Sequence, residues 1–459
     1  MEQIKNKVYE MKLKLQSKFE KEPIVSLLDY SSLMYKVESN GKTKEVWSKA
    51  LQKAIDENKR VYIPKGTYYI GESVILPSDR QIIADEEAYI SLLKGVKVLL
   101  LRNKEVIDGS FCSVGMSAPH NENIWIEGGI WAEEMEVRGG FGETGRFDEE
   151  DSMHGVGCCL LLDGIENLVL YNMKFYRTAG FAIQMGRCEN FLVEKILYKE
   201  CFADGVHING EVKTGLVKDI SGYTEDDLVA INVWDWDMST INNGPLEDLV
   251  IENIDASETE YGCKAMRIMT GILPTEKVDI DCYIKNLYVK NTRNVKPFKL
   301  YLQTTPYIDK PEGAKVGRIE SVYFEDIYFD LNKPTDGLPN FANYDPITGH
   351  FGLFEIGCNA DLISLKNIQG TIDKNIPTAH LMVVGPRESF FEAFGKEVFD
   401  PYIQCEVKKI EYENIIINKE KIDDLNKEIF LTEYDSIYRG MKDGEKGFGK
   451  VLSVINKNK

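Results

Sequence analysis

The sequence predicts an all-β fold, a right-handed parallel β-helix with N-terminal capping helices. Three observations carry that expectation. A short phrase recurs in which an Asx-like residue opens an apolar–polar alternation, as in "ENIWIEGG", "ENLVLYNM", "ENFLVEKI", "EDLVIENI" and "KNLYVKN". The openings at Asn123, Asn167, Asn190 and Thr214 are 44, 23 and 24 residues apart, one repeat of 22–24 residues or a multiple of it, which is a solenoid spacing. Val, Ile, Tyr and Phe set the pattern, and helix-length periodicity is nearly missing between repeats. A leucine-rich repeat has the same length, but its leucine-asparagine phrase is not present. Stacked parallel strands suit β-branched and aromatic residues.

The elements follow in order. Residues 1–20 and 44–57 have apolar positions at helical spacing, and helices near the ends would cap strand edges that otherwise invite aggregation. The expected division is a helical and extended capping segment over 1–43, a β-helix domain over 44–420 and a capping tail over 421–459. Asn167 and Asn190 are expected to form an internal ladder.

Composition bounds the partners. A net charge of -19 argues against nucleic acid, whose phosphates need a basic face. No segment approaches the ~20 apolar residues of a membrane span. The N-terminus, "MEQIKNKVYEMKLKLQSKFEKEP", lacks the apolar run of a signal peptide, from which a cytoplasmic location is expected. Nine cysteines, an odd number without CxxC spacing, read as reduced, buried thiols and not as a zinc site.

The chemistry concentrates in "ADGVHINGEVKTGLVKDISGYTEDDLVAIN", from Ala203 to Asn232. Aligning the apolar pattern puts Phe181, Val206 and Leu228 in one inward row and Ile183, Ile208 and Ala230 in another. Asp204 is then level with Asp226, one coil away at the ~4.8 Å spacing of parallel strands, and Asp227 adjoins them. Three carboxylates this close raise at least one pKa, which suits acid–base chemistry. "VWDWD" (233–237) puts Trp234 and Trp236 on one strand face, where indoles can stack on sugar rings. Tyr223 and Tyr261 lie near the patch.

At these residues the chain resembles the polygalacturonases, glycoside hydrolase family 28 of the pectin-lyase-like β-helix superfamily. "FADG" is similar to the family's NTDG phrase through Asp204, "EDDLVAIN" to its DD phrase through Asp226 and Asp227, and "MRIMTG" to its RIK phrase through Arg267. The resemblance covers roughly residues 44–420. It implies a hydrolase that cleaves an α-linked glycosidic bond of an oligosaccharide, uronides included, with inversion. Asp226 would donate the proton, and Asp204 and Asp227 would orient and deprotonate water. His207, Arg267, Trp234, Trp236, Tyr223, Tyr261 and Lys264 would bind substrate. No metal and no cofactor are expected. The family's GHG phrase is missing, and Met269 stands where its second cation would be, leaving Arg267 as one cation on that strand and favouring a neutral sugar. A polysaccharide lyase or epimerase using Ca²⁺ on the same fold, and a non-catalytic carbohydrate-binding β-helix, are the competing readings.

Overall fold

The computed structural model describes residues 1–96, 98–107, 115–138, 158–234, 241–257, 265–271, 281–303, 316–331, 350–385, 405–434 and 447–458. Coil pairs with coil in parallel, and the antiparallel pairings are short hairpins and edges near the two ends, such as Tyr35–Ser39 with Lys42–Val46. Cys158–Tyr176 lies beside Phe181–Cys201, with Leu160 opposite Ile183 and Phe175 opposite Tyr198. Phe181–Cys201 pairs in turn with Val212–Thr224, and that strand with Leu246–Asp255. Strand pairing extends beyond 44–420 at both ends. Ile24–Ser26 pairs with Arg60–Ile63, Ile429–Leu431 with Ala379–Val384, and Val454–Asn456 with Cys405–Ile417.

Alternation inside each run fills the interior. Leu168, Phe191, Gly215, Leu249, Leu287 and Val322 stack as one inward row. Gly215 is small because the Phe191 ring takes its space: a Cβ there would lie 2.1 Å from that ring. The corners explain the repeated Asx residues. Asn123, Asn167, Asn190, Thr214, Asp248 and Asn286 all have φ between 53° and 64°, the left-handed region that Asn and Asp tolerate best among side-chain-bearing residues. Their amides form a ladder at this half-buried corner and not in the interior. Asn167 donates to Asn123 (3.1 Å) and Asn123 to Asp79 (2.8 Å). Asn190 shares the corner, but its buried Oδ1 has no hydrogen-bond partner.

Only one of the two expected caps is a cap. Helix α1 (Glu2–Phe19) runs along the flank. Ile4, Val8, Met11, Leu15 and Phe19 form one stripe that packs on Trp125, Val169, Leu192, Leu216 and Val250. Those five are an outward row taken from five successive coils. The helix is long enough to cross all five, because 18 residues of helix span ~27 Å and four coil spacings span ~19 Å. Lys12 pairs with Glu194 at 2.9 Å beside the stripe. Helix α2 (Ser48–Glu57) closes the N-terminal end, with Leu51, Ala54 and Ile55 in the main core. The described cysteines are buried. No helix among the described residues is long and apolar enough to cross a membrane.

Candidate functional site

The site lies on a different run of the coil from α1. Three strands define it: Phe181–Cys201, Val206–Asn209 and Val229–Asn232. Ile183, Val206 and Val229 are level, as are Gln184, His207 and Ala230. The register therefore differs by one residue from the expected alignment of Val206 with Leu228, and Ala230 is level with His207 rather than with Ile208. Asp204, two residues before Val206, is level with Asp227 and not with Asp226. The reason is local: Leu228 and Val229 are both apolar, so the hydrophobic pattern alone fits either offset.

The carboxylates still converge. Asp204, Asp226 and Asp227 are at most 2% exposed, and one oxygen from each lies within 4.8 Å of the others. That is tighter than the ~6.5–9.5 Å that separates the acid and base of an inverting glycosidase. The backbone N–H of Asp227 donates to Asp204 Oδ1 at 3.1 Å. Gly205 permits this approach, since a Cβ there would lie 2.5 Å from the Leu228 carbonyl oxygen.

Cations surround Asp226. Arg138 Nη1 donates to Oδ2 at 2.7 Å and Arg267 Nη2 to Oδ1 at 3.2 Å. Arg267 also gives its backbone N–H to Asp227 Oδ2 at 2.8 Å. Lys299, 5% exposed, stands level with Arg267 on the next coil. Burial opposes ionisation of Asp226, but Arg267 and Arg138 outweigh it and hold the carboxyl well below the usual carboxylate range. Asp227 goes the other way: burial, with the charges of Asp226 and Asp204, pushes it up against the pull of Arg267. Burial and Asp226 likewise raise Asp204, opposed by His207. The guanidiniums supply the positive charge that a divalent cation would otherwise bring to the trio.

The remaining expected residues divide. Arg267 joins the patch. His207 is bonded to Asp204 at 2.6 Å and is as buried as the trio itself, so among the described contacts it supports Asp204. Trp234 is wholly buried in the main core, and a Cβ on Gly271 would lie 1.4 Å from its Cδ1. It packs the interior and presents no stacking face. Tyr223 is half-buried, its phenol raised by burial and then by Glu225. Trp236, Tyr261 and Lys264 lie outside the described residues. Met269 is level with Asn232 and Tyr301. Arg267 is thus the one cation on its own strand, and Lys299, one coil along, and Arg138 bring further positive charge from elsewhere in the chain.

Arg138, Lys299, Asn209 and Asn232 were not singled out from the sequence, and Phe181, expected in an inward row level with Val206, instead stacks on His207, because Ile183 takes the position beside Val206. Arg138 is 88 residues from Asp226, and no local pattern connects them. Lys299 offers a weak signal, a lysine alternating with apolar residues in "PFKLYL".

No family model matches this chain, and neither does any curated protein. Among solved structures it is similar to PfbA, a surface adhesin of Streptococcus pneumoniae, with TM-score 0.47 and 12% identity over 86% of this chain and 88% of that one. It is similar to a family 28 exopolygalacturonase of Yersinia enterocolitica, with TM-score 0.40 and 14% identity over 95% and 78%. It is also similar to the tailspike of E. coli bacteriophage HK620 in complex with a hexasaccharide, with TM-score 0.48 and 12% identity over 85% and 61%.

Proposed function

We propose that the protein is a carbohydrate-active enzyme on a right-handed parallel β-helix, a glycoside hydrolase that cleaves an α-linked bond of an oligosaccharide by acid–base chemistry. The observation that supports this most is the division of charge in the trio. Three buried carboxylates come from adjacent coils; two guanidiniums hold one ionised, and burial pushes the other two toward the protonated form. Burying three carboxylates together costs folding energy that the guanidiniums only partly offset. A hydrolase needs a proton-bearing carboxyl beside an ionised one.

One proton is shared over the trio in this reading. In the free protein it rests on Asp227, while Arg138 and Arg267 keep Asp226 ionised. An anionic sugar seated against Arg138, Arg267 and Lys299 draws the guanidiniums to itself. Asp226 then loses its compensating charge, and the proton passes to it from Asp227. Asp226 protonates the leaving oxygen, the role the family resemblance implies. Water gives its proton to the Asp204–Asp227 side as its oxygen bonds to the anomeric carbon. With Arg138, Arg267 and Lys299 together, a uronide suits this group of cations better than the neutral sugar that Met269 suggested.

The stereochemical outcome is a sharp test of the geometry. The resemblance implies inversion, whereas carboxyls this close are nearer the ~5–5.5 Å of a retaining pair. The experiment is incubation with α-linked oligosaccharides, uronide and neutral, with products resolved by chromatography and the first anomer read by NMR. Cleavage of a uronide supports the proposal. Binding without cleavage would make the protein a carbohydrate-binding β-helix, and an unsaturated product absorbing in the ultraviolet would make it a lyase.

A further inference from the structure

We infer that His207 is a positioning residue that holds Asp204 as the proton acceptor of the site, so that the Asp204–His207 pair receives the proton of the attacking water. This rests on the hydrolase reading above and assigns a role within it.

The argument is one of hydrogen-bond direction. His207 Nδ1 lies 2.6 Å from Asp204 Oδ2, and its Nε2 faces Asn209 Nδ2 at 3.4 Å. Which way the Asn209 amide points decides the tautomer. Asn209 Nδ2 also lies 3.1 Å from the Asn232 carbonyl oxygen, which can only accept, and Asn209 Oδ1 receives Gln184 Nε2 at 2.8 Å. Those two bonds fix the nitrogen side of Asn209 toward His207. Asn232 Nδ2 approaches the same ring nitrogen at 3.5 Å. Nε2 is therefore the acceptor, and the ring proton is on Nδ1, where it is donated to Asp204.

Asp204 accordingly accepts on both oxygens, from His207 Nδ1 and from the backbone N–H of Asp227. Donors to both oxygens favour the ionised form. The charged groups facing this pair are Asp226 and Asp227 on the next coil and Arg267 on the coil beyond. Burial and Asp226 work against ionisation of Asp204, and the His207 N–H opposes them. Phe181 stacks on the imidazole, with centroids 3.8 Å apart and planes at 13°, and covers one ring face. The ring is thus held in place by an aromatic face, two amides and a carboxylate. In the reaction an O–H bond of water breaks, its electron pair stays with the oxygen that joins the anomeric carbon, and the proton passes to Asp204.

Two substitutions separate this role from simple packing. His207→Asn keeps a side-chain N–H at the position of Nδ1, and His207→Phe keeps the ring without a donor. On a cleaved oligogalacturonide or another oligosaccharide of the panel, His207→Phe is expected to lower kcat about 10²-fold or more with KM little changed, and to move the acid limb of the kcat/KM profile to higher pH. His207→Asn should restore the limb and most of kcat. Equal losses in both variants at matched thermal stability, or an unmoved acid limb in His207→Phe, would overturn the inference. Imidazole ¹⁵N NMR of the wild-type protein gives a readout that needs no turnover. A neutral ring protonated at Nδ1 supports the pair, and one protonated at Nε2 refutes it even if hydrolysis is established. Hydrolysis that is never found with any oligosaccharide removes the acceptor role along with the hydrolase reading, whatever the tautomer.

Discussion

The outward row from Trp125 to Val250 and the outward row through His207 and Arg267 are carried by the same stack of coils, yet they bury opposite kinds of chemistry. The first is covered by the apolar stripe of α1. Each side chain taken from water there contributes about 1.5–3 kcal/mol, so the strap needs no purpose beyond holding coils together. The second row and the residues just before its strands bury Asp204, His207, Asp226, Asp227 and Lys299. Each of these polar or charged groups costs energy to desolvate and is tolerated through its partners. Under the proposed function one scaffold separates stability from chemistry by assigning them to different runs of the same coil, and substitutions on the two runs should fail in different ways.

The largest contrast is expected at Asp226. Asp226→Asn should lower turnover by about 10³-fold or more while the protein keeps its circular dichroism spectrum. Near-wild-type hydrolysis would break the division between the two runs. On the flank, Leu15→Ala should cost about 2–5 kcal/mol of unfolding free energy, measured by urea denaturation, with kcat per folded molecule unchanged. A loss of kcat without a loss of stability would show that α1 communicates with the site.

The third expectation is a dependence on pH. Burial raises Asp227 in the folded protein, so the folded state binds the proton more tightly than the unfolded chain. The penalty of ionising Asp227 is missing at acid pH, grows as pH rises from the unfolded carboxyl value toward the folded one, and is complete above it. Asp227→Asn should therefore stabilise the protein at pH 8 by about 1.4 kcal/mol for each unit of upward displacement, with the gain vanishing near pH 4. Asp226 has the opposite sign. Its contribution is present at neutral pH and lost as pH falls through its lowered value. Thermal melts check both, from pH 8 to 4 for Asp227 and from pH 4 down to about 2 for Asp226. The smallest expected effect is none: exhaustive EDTA should leave hydrolysis intact, because Arg138 and Arg267 already balance the trio. Loss with EDTA and rescue by Ca²⁺ would assign the site to metal-dependent chemistry.

The sequence by itself determined the coil, the recurrence of its Asx positions and the gathering of carboxylates, while the structure moved the expected internal Asn ladder to the corners. Alternation with period two names the inward residues, and a left-handed corner selects Asn or Asp from steric preferences within one residue; both are local and so are written locally. The proximity of Asp204 to the Asp226–Asp227 pair survived even a register error, because a slip of one residue still leaves the pair beside it. Only the tertiary structure decided which of the two is level with Asp204. It also turned Trp234 inward, laid α1 along the flank, and brought Arg138 and Lys299 to the carboxylates. Those outcomes depend on how long each excursion between coils is and which strand it returns beside. That choice is made by pairing and packing across tens of residues, and no short stretch of chain encodes it.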